Sequence, residues 1–384
     1  METIFQEIDK LNDTYVNVWE DVCNIESPSK DKAAVDRVGD YFQTLAKKFG
    51  WKIEVYPQEQ FGNVVVITMN PESTKTPIAL SGHMDTVHPI GSFGTPAVKR
   101  DDVNLYGPGA MDCKGGVVAG FHAMHALHNC GYTDRPIMML LQSNEEIGSG
   151  LQNKAPIQYI CQRAKDVEAF LNLEGHEGYF AGKACLIRKG IAGFRFDVKG
   201  IATHASYCAR EGASAVLEAA YKIIEIEKLK DDNAVTCNCG IVTGGSASNT
   251  VPAECQIKVD VRFATMEQYE QTIAYLQQVA DTNHVPGCSC TMVQTNLRPA
   301  MELNDRNIAL LNKANELFAQ NGLSTLEVGM RTGGSDAADV ACFGIPCIDS
   351  IGVGGERAHS VEEYGVIASL AESAKRIASI ICGL

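Results

Sequence analysis

The chain has 384 residues, of which 45% are apolar and 21% charged, a composition typical of globular proteins and a length sufficient for about two domains. Its formal net charge of -14, from 33 basic and 47 acidic residues, and its lack of a basic block argue against nucleic acid and anionic membranes as partners. No apolar stretch approaches the roughly 20 residues that a membrane-spanning helix needs.

The N-terminal segment and the cysteines bear on the cellular compartment. The first ten residues are amphipathic and acidic, without the basic and apolar regions of a secretory signal. We therefore expect a cytoplasmic protein whose 14 cysteines are reduced thiols. Two Cys-x-Cys pairs, Cys237 with Cys239 and Cys288 with Cys290, are spaced more closely than the cysteines of structural zinc sites usually are, which favours core packing.

The first half of the chain alternates amphipathic helices with short apolar segments, which predicts an α/β domain with a mixed, largely parallel sheet. Residues 298–384 resume this alternation, so we expect one discontinuous domain made of residues 1–182 and 298–384. Its predicted helices cover residues 31–49, 115–128, 305–320 and 366–382, and its predicted strands or apolar segments cover 53–56, 63–69, 78–80, 137–142, 168–173 and 345–351.

Residues 183–297 follow a different pattern, with the element order β-α-β-β-α-β of a ferredoxin-like α+β unit. We expect an inserted domain over this range. Its predicted strands cover residues 193–198, 234–243, 254–263 and 288–295, and its predicted helices cover 212–227 and 266–282.

Three histidines, His122, His125 and His128, are spaced three residues apart in the predicted helix over 115–128. The residues between them are apolar, so we expect the histidines to lie on the solvent side of this helix. We do not assign them to a metal site.

Other polar residues follow the apolar segments of the predicted sheet. In an open α/β sheet, ligands bind beyond the carboxyl ends of the strands, where loops from several strands meet. Imidazoles together with carboxylates are typical ligands of zinc and similar divalent ions. The residues in such positions are His83, Asp112, Glu145, Glu146, Glu174 and His359, and Asp85 is placed to orient the imidazole of His83.

Short motifs occur in a fixed order along the chain. They are Gly82-His-Met-Asp-Thr86, Gly107-Pro-Gly-x-x-Asp-x-Lys-Gly-Gly116, Glu145-Glu-x-Gly-Ser149, Glu174, Thr203-His204-Ala205, Ser248-Asn249-x-x-Pro252, Asp260-Val-Arg262, Gly333-Gly-Ser-Asp336 and His359-Ser360. In this order they resemble the dinuclear zinc hydrolase family that contains carboxypeptidase G, aminoacylase, acetylornithine deacetylase and succinyl-diaminopimelate desuccinylase. The resemblance covers nearly the whole chain from about residue 80, and it is strongest to the carboxypeptidase G branch.

The resemblance implies a zinc-exopeptidase catalytic domain that holds two zinc ions, with cobalt or manganese as substitutes. His83 and Glu174 would hold one ion, and Glu146 and His359 the other. Asp112 would bridge the two ions. Family members also have a cis peptide bond after the bridging aspartate.

The resemblance also implies roles for residues that do not bind the metal. Glu145 would be the general base that activates a metal-bound water, and Asp85 would orient His83. His204 would reach the active site of a partner subunit and stabilise the oxyanion, which makes the inserted domain a dimerisation domain of a homodimer. Three residues resemble substrate-binding residues: Asn249, Arg262 and Arg331.

We therefore expect a zinc metallopeptidase, either a carboxypeptidase or another amidohydrolase, that cleaves a small peptide or an N-acyl amino acid, with C-terminal glutamate as a candidate specificity. One alternative is an N-acyl-amino-acid deacylase of the acetylornithine deacetylase or desuccinylase type. The other is a non-catalytic, metal-stabilised binding protein, against which the presence of Glu145 argues.

Overall fold

The computed structural model describes residues 1–148 and 150–384, and helices and strands follow one another along this part of the chain. The helices are α1 (Glu2–Asn24), α2 (Lys32–Lys48), α3 (Lys114–Asn129), α4 (Ala155–Arg163), α5 (Ala215–Ile226), α6 (Met266–Asp281), α7 (Asp305–Gln320), α8 (Asp336–Cys342) and α9 (Ile367–Gly383). The strands are β1 (Lys52–Tyr56), β2 (Val64–Met69), β3 (Ile78–His83), β4 (Lys99–Arg100), β5 (Asn104–Tyr106), β6 (Ile137–Gln142), β7 (Ala169–Asn172), β8 (His176–Glu177), β9 (Lys183–Arg188), β10 (Gly190–Lys199), β11 (Thr236–Gly244), β12 (Glu254–Phe263), β13 (Ser289–Arg298), β14 (Glu327–Arg331), β15 (Cys347–Ile348), β16 (Gly354–Glu356) and β17 (Tyr364–Val366).

A six-stranded sheet with the order β1-β2-β6-β3-β7-β15 forms the centre of the first unit. The strands β6, β3, β7 and β15 run parallel to one another, whereas β2 pairs in antiparallel fashion with both β1 and β6. Every residue of β2, β3 and β6 is buried, which is the burial expected of strands covered on both faces. The predicted mixed, largely parallel sheet is therefore confirmed.

Helix α3 lies between the sheet and the helices α1 and α9, so it is buried on nearly all sides. The predicted solvent exposure of its histidines is wrong for His122, whose Nε2 lies 2.8 Å from the carbonyl oxygen of Ile8 and whose ring stacks on Tyr15. The cause is α1, a helix that the sequence analysis did not predict and that covers this side of α3. None of the helices in residues 1–148 and 150–384 combines the length and apolar character of a membrane span.

The second unit is a four-stranded antiparallel sheet with the order β11-β12-β10-β13, on which α5 and α6 pack. Its own core contains Phe194, Phe196, Ile257 and Leu276. Along the chain the elements follow the order β10-α5-β11-β12-α6-β13, which confirms the predicted ferredoxin-like unit.

Strand β9 connects the two units and shifts the expected boundary between them. The expected bounds 183–297 place Lys183–Arg188 in the inserted domain, but this strand pairs with β14, and its Ala184 and Leu186 lie in the core of the first unit. The first strand of the inserted sheet begins at Gly190. We therefore propose 190–298, in place of 183–297, as the bounds of the inserted domain, which makes the first domain 1–189 and 299–384.

Candidate metal centre

Polar side chains from several segments meet beyond the carboxyl ends of the parallel strands. His83 ends β3, a short 3-10 helix (Glu145–Ile147) follows β6, and Glu174 follows β7. Asp112 lies just before α3, and His359 lies between β16 and β17. Because β3, β6 and β7 run parallel, the residues that follow them share one edge of the sheet.

Asp112 lies between the two histidines of this cluster. Its Oδ1 is 3.0 Å from Nε2 of His83, and its Oδ2 is 3.2 Å from Nε2 of His359. The same nitrogen of His359 is 3.2 Å from Oε2 of Glu146. Burial alone would raise the pKa of Asp112, but the hydrogen bonds from His359 and His83 lower it well below its usual range. Each oxygen of one carboxylate thus faces a different histidine, as a carboxylate between two cations requires.

His83 is buried and is held from its other ring nitrogen. Nδ1 lies 2.9 Å from the backbone oxygen of Asp85 and 3.5 Å from its carboxylate, so the shorter contact is to the carbonyl rather than to the predicted side chain. Because a carbonyl oxygen only accepts, Nδ1 carries a proton, and Nε2 is the nitrogen available to a cation. Nε2 also lies 3.8 Å from Oε1 of Glu174.

The side chain of Asp85 organises the segment after β6. Its Oδ1 accepts a hydrogen bond from the backbone N–H of Glu145 at 3.0 Å, and its Oδ2 accepts one from that of Glu146 at 3.2 Å. Oδ2 also accepts a hydrogen bond from the hydroxyl of Ser29 at 2.6 Å. One buried carboxylate therefore positions both glutamates.

The charges of this cluster fit divalent cations. Four carboxylates, those of Asp112, Glu145, Glu146 and Glu174, lie around two imidazoles. Burial, together with Asp112 and Glu145, raises the pKa of Glu146 to about 8, and burial and Asp112 raise that of Glu174. The ligand atoms of His83, Asp112 and Glu146 lie within 4.8 Å of one another. Imidazole and carboxylate donors are those that zinc binds, so the residues fit such an ion.

Cys113 follows Asp112 through a cis peptide bond, as the resemblance implies. Its Sγ belongs to a second close group with His83 and Glu174. The thiol lies 3.4 Å from the backbone nitrogen of His83 and donates to the carbonyl oxygen of Leu173 at 3.6 Å. Burial raises its pKa well above the usual value, so Cys113 packs against β3 as a neutral thiol, and we do not assign it as a ligand.

Arg298 is a site residue that the sequence analysis missed. This buried arginine ends β13, and its Nη1 contacts Oε1 of Glu145 and lies 3.1 Å from Oδ1 of Asp336. Its Nη2 donates to the backbone oxygen of Glu145 at 2.8 Å. Burial would lower the pKa of the guanidinium, but Glu145 and Asp336 raise it, so Arg298 is a fixed positive charge beside both carboxylates. No spacing rule joins residues that are 153 positions apart.

We expect Arg298→Met to destabilise the metal-free protein by about 3 to 5 kcal/mol, because it leaves two buried carboxylates without their cation. Chemical denaturation measures this free energy of unfolding. Arg306→Met is the matched control, since Arg306 is exposed and its guanidinium donates a hydrogen bond to the backbone oxygen of Ala341 at 3.3 Å. A loss below about 1 kcal/mol for Arg298→Met would contradict the assigned role.

The four other predicted residues lie outside this cluster. His204 and Asn249 are neighbours in the inserted domain, where the backbone N–H of Ala205 donates to the oxygen of Asn249 at 2.9 Å. Arg262 pairs with Asp260 on β12, with Nε and Oδ1 2.7 Å apart. Arg331 ends β14 and lines a separate cavity. Among the described residues, no hydrogen bond or ion pair joins any of the four to the histidines and carboxylates of the cluster.

Known proteins are similar to this chain in sequence and in fold. Carboxypeptidase G2 of Pseudomonas sp. (strain RS-16) is 28% identical over 390 residues, which cover 99% of this chain and 92% of that protein. Succinyl-diaminopimelate desuccinylase of Rickettsia akari (strain Hartford) is 23% identical over 286 residues, covering 69% and 73%. The crystal structure of aminopeptidase PepT from Bacillus cereus ATCC 10987 superposes with a TM-score of 0.78 at 22% identity, covering 96% and 98%.

A family model describes most of the chain. The model of peptidase family M20/M25/M40 matches residues 79–382, which include every residue of the metal-centre cluster and the whole inserted domain. The fold and the cluster of histidines and carboxylates are consistent with this family match. The chain therefore belongs to peptidase family M20/M25/M40 and is a metallopeptidase or amidohydrolase of that family.

Proposed function

We propose that this protein is a zinc-dependent carboxypeptidase that cleaves the amide bond before the C-terminal residue of a small peptide or N-acyl amino acid. The observation that carries the proposal is Asp112, whose two oxygens face His83 and His359, with Glu145 held beside them. Cobalt or manganese would substitute for zinc, since both accept the same nitrogen and oxygen donors.

The ligands and the base have separate tasks in this proposal. His83 and Glu174 would hold one ion, Glu146 and His359 the other, and Asp112 would contact both. Two bound zinc ions would polarise the scissile carbonyl and lower the pKa of the attacking water.

Glu145 is the residue that moves the proton. Its carboxylate would take a proton from the attacking water and deliver it to the leaving nitrogen. Arg298 holds one oxygen of this carboxylate, and Asp85 holds the backbone N–H of the same residue. The side chain and the backbone of Glu145 are therefore both held in place before substrate binds.

A cavity of about 490 Å³ beside the segment after Glu174 supports an acidic substrate group. Two cationic side chains, Lys183 and Arg331, and one acid, Glu177, line it together with His176. His176 is buried, and its Nε2 has no hydrogen-bond partner among the residues that the structure describes. We propose C-terminal glutamate as the leaving residue, with Arg331 as one of its contacts.

His204 is suited to stabilise an oxyanion. Its Nδ1 accepts a hydrogen bond from the backbone N–H of Ser206, so Nε2 carries the proton of the neutral ring and can donate it in a hydrogen bond. The side chain is exposed on the inserted domain, and among the described residues it forms no hydrogen bond or ion pair with the cluster of its own chain. We propose that His204, with Asn249 and Arg262 beside the substrate, acts in the active site of a partner subunit.

An exposed apolar stripe supports the homodimer that this proposal needs. Leu217, Tyr221 and Ile224 lie three or four residues apart on α5, and Ile224 is 60% exposed. Ile241 and Val242 are exposed on β11, an edge strand of the inserted sheet. A second copy that packs on this helix and edge strand would bury both features.

Hybrid dimers test the action of His204 in trans. We expect His204→Ala and Glu145→Gln to be inactive alone, and an equal mixture to recover about a quarter of wild-type activity, because half of the dimers are hybrids with one complete site. The measurement is peptide hydrolysis after subunit exchange, which mass spectrometry of tagged chains confirms.

The control is the same mixture made with Lys313→Ala in place of His204→Ala, which should show about half of wild-type activity, because Lys313 is an exposed residue on α7 outside the inserted domain. Confirmed hybrids without recovery would restrict His204 to its own chain. A wild-type protein that sediments as a monomer would refute the proposed dimer itself.

The second candidate function is an N-acyl-amino-acid deacylase. It is favoured by the likeness to succinyl-diaminopimelate desuccinylase, and it would use the same residues at the metal centre. The two functions differ in which side of the amide is recognised. Two series of substrates decide between them: in one the acyl group varies and the C-terminal residue is constant, and in the other the C-terminal residue varies and the acyl group is constant. A kcat/KM that depends on the C-terminal residue supports the carboxypeptidase. A kcat/KM that depends on the acyl group supports the deacylase.

We propose the cytoplasm as the compartment. All 14 cysteines are free thiols. Free thiols in this number are typical of a reducing environment.

A further inference from the structure

Glu363 is a buried carboxylate that contacts the loop of Asp112 from outside the metal centre. It lies four residues after His359, just before β17, and is 1% exposed. Its Oε1 accepts hydrogen bonds from the backbone N–H groups of Met111 at 2.9 Å and Asp112 at 3.0 Å. Its Oε2 lies 3.4 Å from the backbone nitrogen of Gly109, which also donates to it. The backbone of the Asp112 loop is thus held by one side chain.

The same carboxylate reaches the loop that follows His83. Its Oε2 is 3.1 Å from Nε2 of His88, which is buried and packs edge-on against Phe93. The backbone oxygen of Glu363 accepts a further hydrogen bond from the N–H of Gly107 at 3.2 Å. Glu363 therefore joins three segments, and each of them carries one of the residues that face one another across the cluster: His83, Asp112 and His359.

The hydrogen bonds of Glu363 hold Asp112 at a fixed distance from the loop that carries His359. Asp112 can face both histidines only while its backbone keeps its place relative to the loop of His359. Glu363 belongs to that loop and binds the N–H of Asp112 directly. Its own side chain makes no contact with the imidazoles of His83 and His359 among the contacts of the described residues, so its effect on the site is indirect.

We infer that Glu363 is a positioning residue that sets the placement of Asp112 relative to His359, and thereby the affinity of the divalent-cation position that these two residues share. The inference rests on the proposed function, in which two cations occupy the cluster. Residues that orient metal ligands through hydrogen bonds typically change metal affinity by about 10- to 100-fold when they are replaced.

The test is metal binding by the full chain and not turnover. Metal-free protein is titrated with Zn²⁺ in a calorimeter and with Co²⁺ in an absorption spectrometer, which reports the ligand field of each bound ion. For Glu363→Ala we expect one class of site to weaken by about 10- to 100-fold, a changed spectrum for the same equivalent of Co²⁺, and little change at the other site.

Three further variants separate positioning from folding. Glu363→Asp keeps the charge but is one methylene shorter, so it should weaken the same site even if Glu363→Ala does not fold. Glu363→Gln keeps an oxygen that can accept from Met111 and Asp112 and should retain most of the affinity and the wild-type spectrum. Glu362→Ala is the matched control, since Glu362 is exposed and forms an ion pair with the equally exposed Arg357.

The outcomes distinguish this inference from the proposed function. Two tightly bound ions in the wild-type protein, with unchanged affinities and spectra in Glu363→Ala or Glu363→Asp, would overturn the positioning role alone. A uniform loss at both sites would overturn it as well, because it would indicate general destabilisation. A wild-type protein that binds no second ion would refute the two-cation cluster of the proposed function together with the inference.

Discussion

Glu145→Gln is expected to lower kcat by about 100- to 10,000-fold, the usual range for removing a general acid or base, with both metal ions retained. Gln has nearly the shape of Glu and keeps an oxygen that Arg298 can bind, so the surrounding structure should persist. The backbone N–H that Asp85 holds is untouched by the substitution. The fall in turnover should therefore report the loss of the base alone.

The measurement combines initial rates of amide hydrolysis with metal content by mass spectrometry. Glu59→Gln, the same substitution at an exposed position, should leave both unchanged. Activity within about tenfold of wild type in Glu145→Gln would show that another group takes the proton. A loss of activity that comes with a loss of metal would instead make Glu145 a ligand.

Asp112→Ala is expected to reduce the number of tightly bound ions from two to one or none. The substitution removes the only side chain that contacts both His83 and His359 in the described contacts of the cluster, and a shared carboxylate is what allows two cations to lie close together. Turnover should fall at least as far as in Glu145→Gln, because the base then lacks the ions beside it.

Titration of the metal-free protein followed by equilibrium dialysis measures this number. Asp102→Ala, in the exposed turn between β4 and β5, is the control and should bind as many ions as the wild type. An unchanged metal count in Asp112→Ala would remove Asp112 as the ligand between the ions.

The residues at the strand ends could be found from the sequence because their positions follow from chain order. His83, Glu145 and Glu174 each follow an apolar segment, and parallel pairing brings such positions to one edge of a sheet. The same reasoning included Asp112, Glu146 and His359, and the family motifs then implied a role for each residue. The structure brings all six into one cluster.

The residues that hold the cluster in place could not be found in this way. Arg298 contacts Glu145 and Asp336, and Glu363 contacts Asp112, through packing between distant segments that leaves no periodic pattern in the chain. The burial of His122 was mispredicted for the same reason, since α1 covers it from a position 114 residues away. Each of these contacts depends on tertiary packing and not on local sequence.

The pairing of β9 with a distant strand accounts for the difference between the expected and the proposed domain bounds. The segment Lys183–Arg188 contains the apolar run Ala184–Ile187, and its place in the first unit is set by pairing with β14, which lies more than 100 residues later in the chain. Local pattern identifies a strand but not its partner. Strands of two or three residues, such as β8 and β15, carry too few residues for any pattern.

The proposal of a carboxypeptidase with two zinc ions is tested most directly by a zinc titration of the metal-free protein during hydrolysis of an N-acyl peptide that ends in glutamate. We predict no turnover without metal, and turnover that rises as zinc fills the cluster and reaches a plateau when two equivalents are bound. Full activity in the chelator-treated protein would contradict it. Two bound zinc ions without hydrolysis of any substrate in the matrix of acyl groups and C-terminal residues would also contradict it, and would favour a metal-stabilised binding protein.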